Sequence, residues 1–176
     1  MIKDLTGIRE FAKQAHAKAG KTYGEEDYVV HLDEVHEWVL KFATDKSISK
    51  VDLFVLERSA YGHDLGEDTG MSHRKIKLQF GRREANTIYS VTDENGKDRT
   101  DRILKTLSKT RHNRLGILLK MADRAANGSH SKLTGHSMWK RYMKEYVIFR
   151  FALRKVGQYV PAWEILDELF EYKETV

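Results

Sequence analysis

The sequence predicts an all-α fold, a helical bundle forming one domain over residues 1–176, and three observations carry that expectation. Apolar residues return every three or four positions along most of the chain, which places them on one face of a helix, while strand alternation is hard to find. Pro161 is the single proline, so almost nothing interrupts a helix from within. Hydrophobic residues make up 40% of 176 positions, enough for one compact core and too few for two.

Taken in order, the helical pattern runs through Ile8, Phe11 and Ala15, then Val35, Val39 and Phe42, then Val51, Phe54 and Val55. It returns at Ile103 and Leu107, from Leu115 to Met121, from Met138 to Leu153, and from Trp163 to Phe170. Pro161 suits the first turn of that last helix, where a missing N–H loses no bond. Loops are expected where Gly, Ser, Asn and Asp gather: Gly20 to Asp27, Thr44 to Ser49, Gly66 to Ser72, Asp93 to Asp98 and Gly128 to Gly135. That punctuation gives roughly seven to nine helices. Trp139, Phe149, Phe151 and Trp163 are expected to fill the core.

No run approaches the length of a membrane span and the first residues lack the basic-then-apolar order of a secretory signal, so a soluble, cytoplasmic protein is expected. The absence of cysteine excludes disulfides and thiolate metal sites, leaving imidazole and carboxylate as metal donors. A formal charge of +5 favours anionic partners such as phosphorylated nucleotides. Lys and Arg are spread along the chain, which argues against a dedicated nucleic-acid face.

The chemistry concentrates in Ala60-Tyr61-Gly62-His63-Asp64-Leu65-Gly66-Glu67-Asp68-Thr69. If the preceding helix continues through it, His63 and Glu67 share one face and Asp64 and Asp68 the next. Carboxylates so crowded repel unless a cation or a proton offsets them. A solvated acidic helix end would be the plainer reading of an isolated His-Asp pair, but Val51 to Ala60 are largely apolar and aim this pair at a core. His31 opens a helix after Tyr28-Val29-Val30, and Asp123 closes the apolar run Leu118 to Ala122, with Asn127 one turn on. Singly, these read as a helix-start residue and an ion-pair partner of Lys120 or Arg124. Together with His63 and Asp64 they make two imidazoles and two carboxylates, a set suited to Mn, Fe, Co or Zn.

The order His31, His63-Asp64, Asp123 resembles the signature of the HD superfamily of phosphohydrolases, and the string His-Asp-x-x-Glu-Asp-Thr resembles the hydrolase domain of the SpoT type and its small stand-alone alarmone hydrolase relatives. Tyr28-Val29-Val30-His31, Val91-Thr92-Asp93 and Leu119-Lys120-Met121-Ala122-Asp123-Arg124 with Asn127 resemble further elements of that group, so the likeness covers most of residues 10 to 150. The resemblance implies an HD-domain bundle with one Mn2+ held by His31, His63, Asp64 and Asp123, and Glu67 and Asp68 managing the attacking water. It implies removal of the 3′-pyrophosphate from guanosine tetraphosphate or pentaphosphate, or an adenosine analogue. Substrate contacts would fall to Lys21, Tyr28, Lys97, Asn127 and Tyr146. The chain departs from the pattern at Leu32, where a proline is usual, at Gly66, and in the shortened stretch Lys18 to Tyr23, which in relatives shapes the base pocket.

Two other readings keep part of this. An HD nucleotidase or deoxynucleoside triphosphate hydrolase would use the same metal on another substrate. A non-catalytic nucleotide- or toxin-binding module, with an oligomer or a toxin as partner, would use the positive charge alone. Of the remaining histidines, His16 lies on the first helix, where a supporting or core role is open, and the others are expected in surface or loop positions.

Overall fold

The structure is a computed structural model that describes residues 1–44 and 48–173. Its described residues form ten helices and one two-stranded hairpin. In order these are α1 (Leu5–Lys18), β1 (Thr22–Tyr23), β2 (Glu26–Asp27), α2 (Val29–Phe42), α3 (Lys50–Gly62), α4 (Leu65–Thr69), α5 (His73–Phe80), α6 (Arg82–Val91), α7 (Arg99–Thr110), α8 (Arg114–Leu133), α9 (Met138–Leu153) and α10 (Val160–Leu169). The strands pair antiparallel, Thr22 opposite Asp27 and Tyr23 opposite Glu26. Side-chain caps start several helices where the sequence offers Asp, Ser or Asn: Asp4, Ser49, Ser72, Asp98 and Asn113 each accept a backbone N–H of the first turn. Pro161 sits in the first turn of α10, as its ring requires. No helix among the described residues is long and apolar enough to cross a membrane.

The all-helical expectation holds, and the departures from it have local causes. Gly128 does not end a helix; α8 runs on to Leu133 and breaks at Gly135, whose φ is +67°. Gly128 is needed for close approach, because a Cβ there would lie 2.5 Å from Cζ of Phe170. The stretch from His73 to Val91 holds two helices, α5 and α6, that apolar spacing did not reveal. The hairpin occupies the expected loop from Gly20 to Asp27. Of the expected Thr44 to Ser49 loop, residues 45–47 lie outside the described residues. Val51, Phe54 and Phe151 face solvent, Phe151 at 87% exposure, so those apolar positions do not mark the core; Phe149 and Trp163 do, and Trp139 packs on its edge.

Two buried clusters make the interior. The larger joins Val35, Val39 and Phe42 of α2, Val55, Leu56 and Ala60 of α3, the inner face of α8, and residues of α9 and α10. The smaller joins Ile8 and Ala12 of α1, Leu32, Tyr61, Leu65, and Ile76, Phe80, Ala85 and Ile88 of α5 and α6. Helices α2 and α3 therefore contribute to both clusters, and the seam between the clusters falls at His31, beside Leu32, and at His63, after Tyr61.

A buried arginine ties the smaller cluster together. Arg58 donates from Nε to Glu84 Oε1 at 3.2 Å and from its terminal nitrogens to the carbonyls of Lys3, Ile2 and Phe80 at 3.1, 2.8 and 2.8 Å. One guanidinium thus joins α3, α5, α6 and the N-terminal segment. Removing it leaves Glu84 and three carbonyls without their partner, so Arg58→Ala is expected to lower the unfolding free energy by about 3–5 kcal/mol. Urea unfolding of the purified variant measures this, and a loss well under 1 kcal/mol would contradict the arrangement.

Candidate metal centre and cavity

The site begins at a glycine. A Cβ on Gly62 would lie 2.6 Å from Ile88 Cδ1 and 2.7 Å from Phe80 Cε1, so only glycine lets the last turn of α3 press against α5 and α6. There the helix stops, and His63 and Asp64 form a two-residue break before α4. The preceding helix does not continue through Asp68, and the first part of the expected loop from Gly66 to Ser72 is instead a separate short helix that carries Glu67 and Asp68. His63 Nδ1 lies 2.8 Å from the Ala60 carbonyl, which can only accept, so Nδ1 carries a proton and Nε2 is the nitrogen left to bind a metal or a second proton. His31 comes from the first turn of α2, and Asp123 from the middle of α8.

The four expected ligands converge. His31 Nε2 and His63 Nε2 are 3.3 Å apart. Asp64 Oδ2 lies 2.9 Å from His63 Nε2 and 3.5 Å from His31 Nε2. Asp123 Oδ1 lies 3.7 Å and 3.6 Å from the same two nitrogens. His31, His63 and Asp123 present donor atoms that all fall within 4.8 Å of one another. Donors each about 2.1 Å from one ion stand about 3 to 3.5 Å apart, so the residues fit a divalent metal. His63 Nε2, facing a second imidazole nitrogen and two carboxylates, points the same way.

Burial opposes charge on His63, Asp64, Asp123 and Lys120, and the neighbours outweigh it. His63 is held well above the ordinary histidine value, because the Asp64 and Asp123 carboxylates overcome its desolvation. Asp64 and Asp123 are held below the ordinary carboxylate range, Asp64 by His63 and His31, Asp123 by Lys120 and His63, again against desolvation. Lys120, 3.2 Å from Asp123, is desolvated yet raised by Asp123 and Glu67. Glu67 moves the other way: desolvation by the cavity walls and repulsion from Asp64 push it up to about 7.

The donors open into a cavity of about 240 Å3. Tyr28, Glu67, Lys120 and Asn127 line it, as do Asp93, Arg99, Arg124 and Tyr142. Tyr28 donates its hydroxyl to Asp64 Oδ2 at 2.6 Å, and Asn127 donates its amide to Asp123 Oδ1 at 2.6 Å, so these two steady ligands as well as facing the cavity. Glu67 Oε1 accepts the Asp93 backbone N–H at 2.6 Å. Asp68 is not among the lining residues; its Oδ1 pairs with Lys21 Nζ at 2.9 Å. Tyr146 is not there either: it is buried, donates to Asp167 at 2.7 Å and stacks on Phe170. Tyr142, one turn earlier on α9, takes the cavity wall instead. Lys97 is exposed and away from the lining, where its backbone N–H donates to Asp101.

Lys120, Arg99, Arg124 and Tyr142 are among the lining residues that the sequence did not put forward for the site. Glu145 binds both arginines, Arg99 at 2.6 and 3.1 Å and Arg124 at 3.2 Å, while the Arg124 guanidinium lies 4.9 Å from the Tyr142 ring centroid. Arg124 had a signal, its place directly after Asp123; Arg99 had none beyond being a charge near Lys97.

No family model matches the chain. It is 27% identical over 97% of its length to a guanosine-3′,5′-bis(diphosphate) 3′-pyrophosphohydrolase of Aquifex aeolicus (strain VF5), and spans 23% of that protein. A solved structure described as a metazoan ortholog of SpoT that hydrolyzes ppGpp and plays a role in starvation responses superposes with a TM-score of 0.73. That likeness covers 98% of this chain and 96% of the other at 20% identity, and establishes a shared fold.

A metal that binds the folded chain alone must stabilise it. Manganese at a hundred times its dissociation constant is expected to add about 2.7 kcal/mol, read as a rise in melting temperature, and His63→Ala should lose that rise. Protons compete for His63 Nε2, whose affinity for them is raised, so the rise is expected to shrink as pH falls through the His63 pKa and to be full above it. A manganese effect of the same size in His63→Ala would place the ion elsewhere.

In metal-free protein the raised pKa of Glu67 has the opposite consequence. The folded state keeps a proton that the unfolded chain releases above its ordinary value of 4.5, so stability is lost as pH rises from there to about 7. Glu67→Gln, which carries no such charge, is expected to melt above the parent at pH 8 and level with it near pH 4 when both are held in chelator. Equal melting at both pH values would contradict the shift.

Proposed function

We propose that this chain is a metal-dependent phosphohydrolase of phosphorylated purine nucleotides, with the 3′-pyrophosphate of guanosine tetraphosphate or pentaphosphate, or of an adenosine counterpart, as the leading substrate. One observation carries the reading: a carboxylate poised near neutrality, Glu67, shares a cavity with the converged ligands and with Lys120, Arg99 and Arg124. A group that accepts a proton near pH 7, beside cations suited to phosphoryl oxygens, is what hydrolysis of a phosphate ester asks of a protein. The fold shared with a ppGpp-hydrolysing protein and the 27% identity to a pyrophosphohydrolase support the choice of substrate.

His31, His63, Asp64 and Asp123 would hold the divalent ion, with manganese the expectation and iron, cobalt or zinc compatible with the same donors. Bound there, it would make water more acidic and neutralise charge on the phosphoryl oxygens. The chain's own residues do the rest. Glu67 takes the proton of the attacking water while the Asp93 N–H fixes its carboxylate. The water oxygen bonds to phosphorus, the bond from phosphorus to the 3′-oxygen breaks with its electron pair left on that oxygen, and the proton returns there. Lys120, Arg99 and Arg124 bind the phosphoryl oxygens, and Tyr142, Ile103 and Leu107 form a wall for the nucleoside. Tyr28 and Asn127 keep Asp64 and Asp123 turned inward. Of the other expected substrate contacts, Lys21 would act through Asp68, and Lys97 and Tyr146 would take no direct part. A cytoplasmic setting suits such a substrate.

The test is purified protein with Mn2+ and a panel of labelled nucleotides. Pyrophosphate released with GDP from guanosine tetraphosphate is the expected result; turnover of deoxynucleoside triphosphates alone would move the assignment to that branch. Glu67→Gln should lower kcat about 100-fold with KM little changed, and Arg124→Ala should chiefly raise KM. If Asp64→Ala abolishes turnover yet keeps the full biological effect, the chain works by binding, for instance to a toxin, and the hydrolytic reading falls.

A further inference from the structure

Outside the cavity the least expected group is His16. It lies in the last turn of α1, fully buried, in the smaller core cluster's neighbourhood, where leucine or phenylalanine would fill the same volume without polar atoms. Its Nδ1 is 2.9 Å from the Ala12 carbonyl, which puts the ring proton there and leaves the lone pair on Nε2. That Nε2 has no hydrogen-bond partner among the described residues. It points at Asp68 Oδ2 from 3.7 Å, too far for a hydrogen bond and close enough to limit where the carboxylate turns. The ring face stacks on Tyr28 at 4.4 Å with 9° between planes, and Tyr28 in turn donates to Asp64.

A buried acceptor without a donor costs stability, and an apolar replacement of the same shape is neutral or better. Such a defect inside a core needs a reason outside the core, and functional sites are where such exceptions gather. We propose that His16 is a positioning residue for the hydrolytic site, its edge setting Asp68 and its face setting Tyr28. From the edge, the Nε2 lone pair confines Asp68 Oδ2 while Lys21 draws Oδ1 to the other side. From the face, the imidazole is the wall against which the Tyr28 ring is held so that its hydroxyl meets Asp64. One side chain of α1 thus sets a carboxylate on α4 and, through a tyrosine, a metal ligand at the end of α3. The edge contact acts on turnover and rests on the hydrolase reading above; the face contact acts on metal affinity and does not.

Two variants separate the contacts. His16→Phe keeps the stacking face and removes the nitrogen; His16→Ala removes both. The Phe variant is expected to melt at or above the parent and to bind Mn2+ as tightly, with kcat lowered about 10–100-fold at unchanged KM. His16→Gln, which restores a polar group at the edge, should recover part of kcat. The Ala variant should in addition bind Mn2+ about 10-fold more weakly, by titration calorimetry. A side chain that merely fills space predicts the reverse order, activity falling only as melting temperature falls. Parental kcat in His16→Phe would overturn the edge contact, and parental Mn2+ affinity in His16→Ala the face contact. The calorimetry holds its meaning even if the parent hydrolyses no alarmone, so failure of the substrate assignment and failure of this inference are told apart.

Discussion

Two imidazole nitrogens 3.3 Å apart, flanked by two carboxylates at the floor of the cavity, set the terms for the rest of the molecule. Without a metal these groups hold one another as ions, His63 kept protonated by the Asp64 and Asp123 carboxylates and the carboxylates kept charged in return. A divalent cation satisfies the same lone pairs at once. The ligands come from three places far apart in the chain, the start of α2, the end of α3 and the middle of α8, and a displacement of any one by an ångström would undo the convergence. Rigidity there comes from the two-cluster core: α2 and α3 enter both clusters, so the seam cannot slide without unpacking one of them.

How the helix ends matters as much as where. Had α3 continued through Asp68, His63 and Glu67 would lie along one face and Glu67 would extend the ligand row. With the break after Gly62, Glu67 reaches the cavity while Asp68 lies beside Lys21 and His16. Two adjacent acids, alike in sequence, thereby receive different surroundings. Glu67, desolvated by the cavity walls and beside Asp64, is pushed up to about 7, while Asp68 pairs with Lys21 at 2.9 Å.

What the sequence made legible follows from how tightly physics ties residue type to role. The four expected ligands were legible as a set rather than singly: without cysteine only imidazole and carboxylate remain as donors, and the crowding of His63 and Asp64 after an apolar run asks for the His31 and Asp123 that the structure brings beside them. The long helices were legible from apolar spacing, but α5 and α6 carry few large apolar residues among many charges and gave no such signal. Gly128 reads as a loop because glycine permits a turn and a close approach alike; only the position of Phe170 decides between them. Phe151 reads as core by its type, yet the neighbouring Phe149 takes the inward direction and leaves it outside.

The cavity's outer parts were beyond reach for the same reason. Tyr142 and Tyr146 sit four apart on α9, where spacing gives them one face and no rule says which meets the ligand. The choice is made by α10: Asp167 takes the hydroxyl of Tyr146 and Phe170 takes its ring, so Tyr146 is spent on the core and Tyr142 is left for the wall. Arg99 and Arg124 come together only because Glu145, a turn along from Tyr142, binds both. A carboxylate that gathers two cations at the cavity wall cancels part of their charge while it fixes their positions. The affinity of the cavity for an anion therefore depends on Glu145 as well as on the arginines, a balance set by the packing of α7, α8 and α9 and written in no single motif.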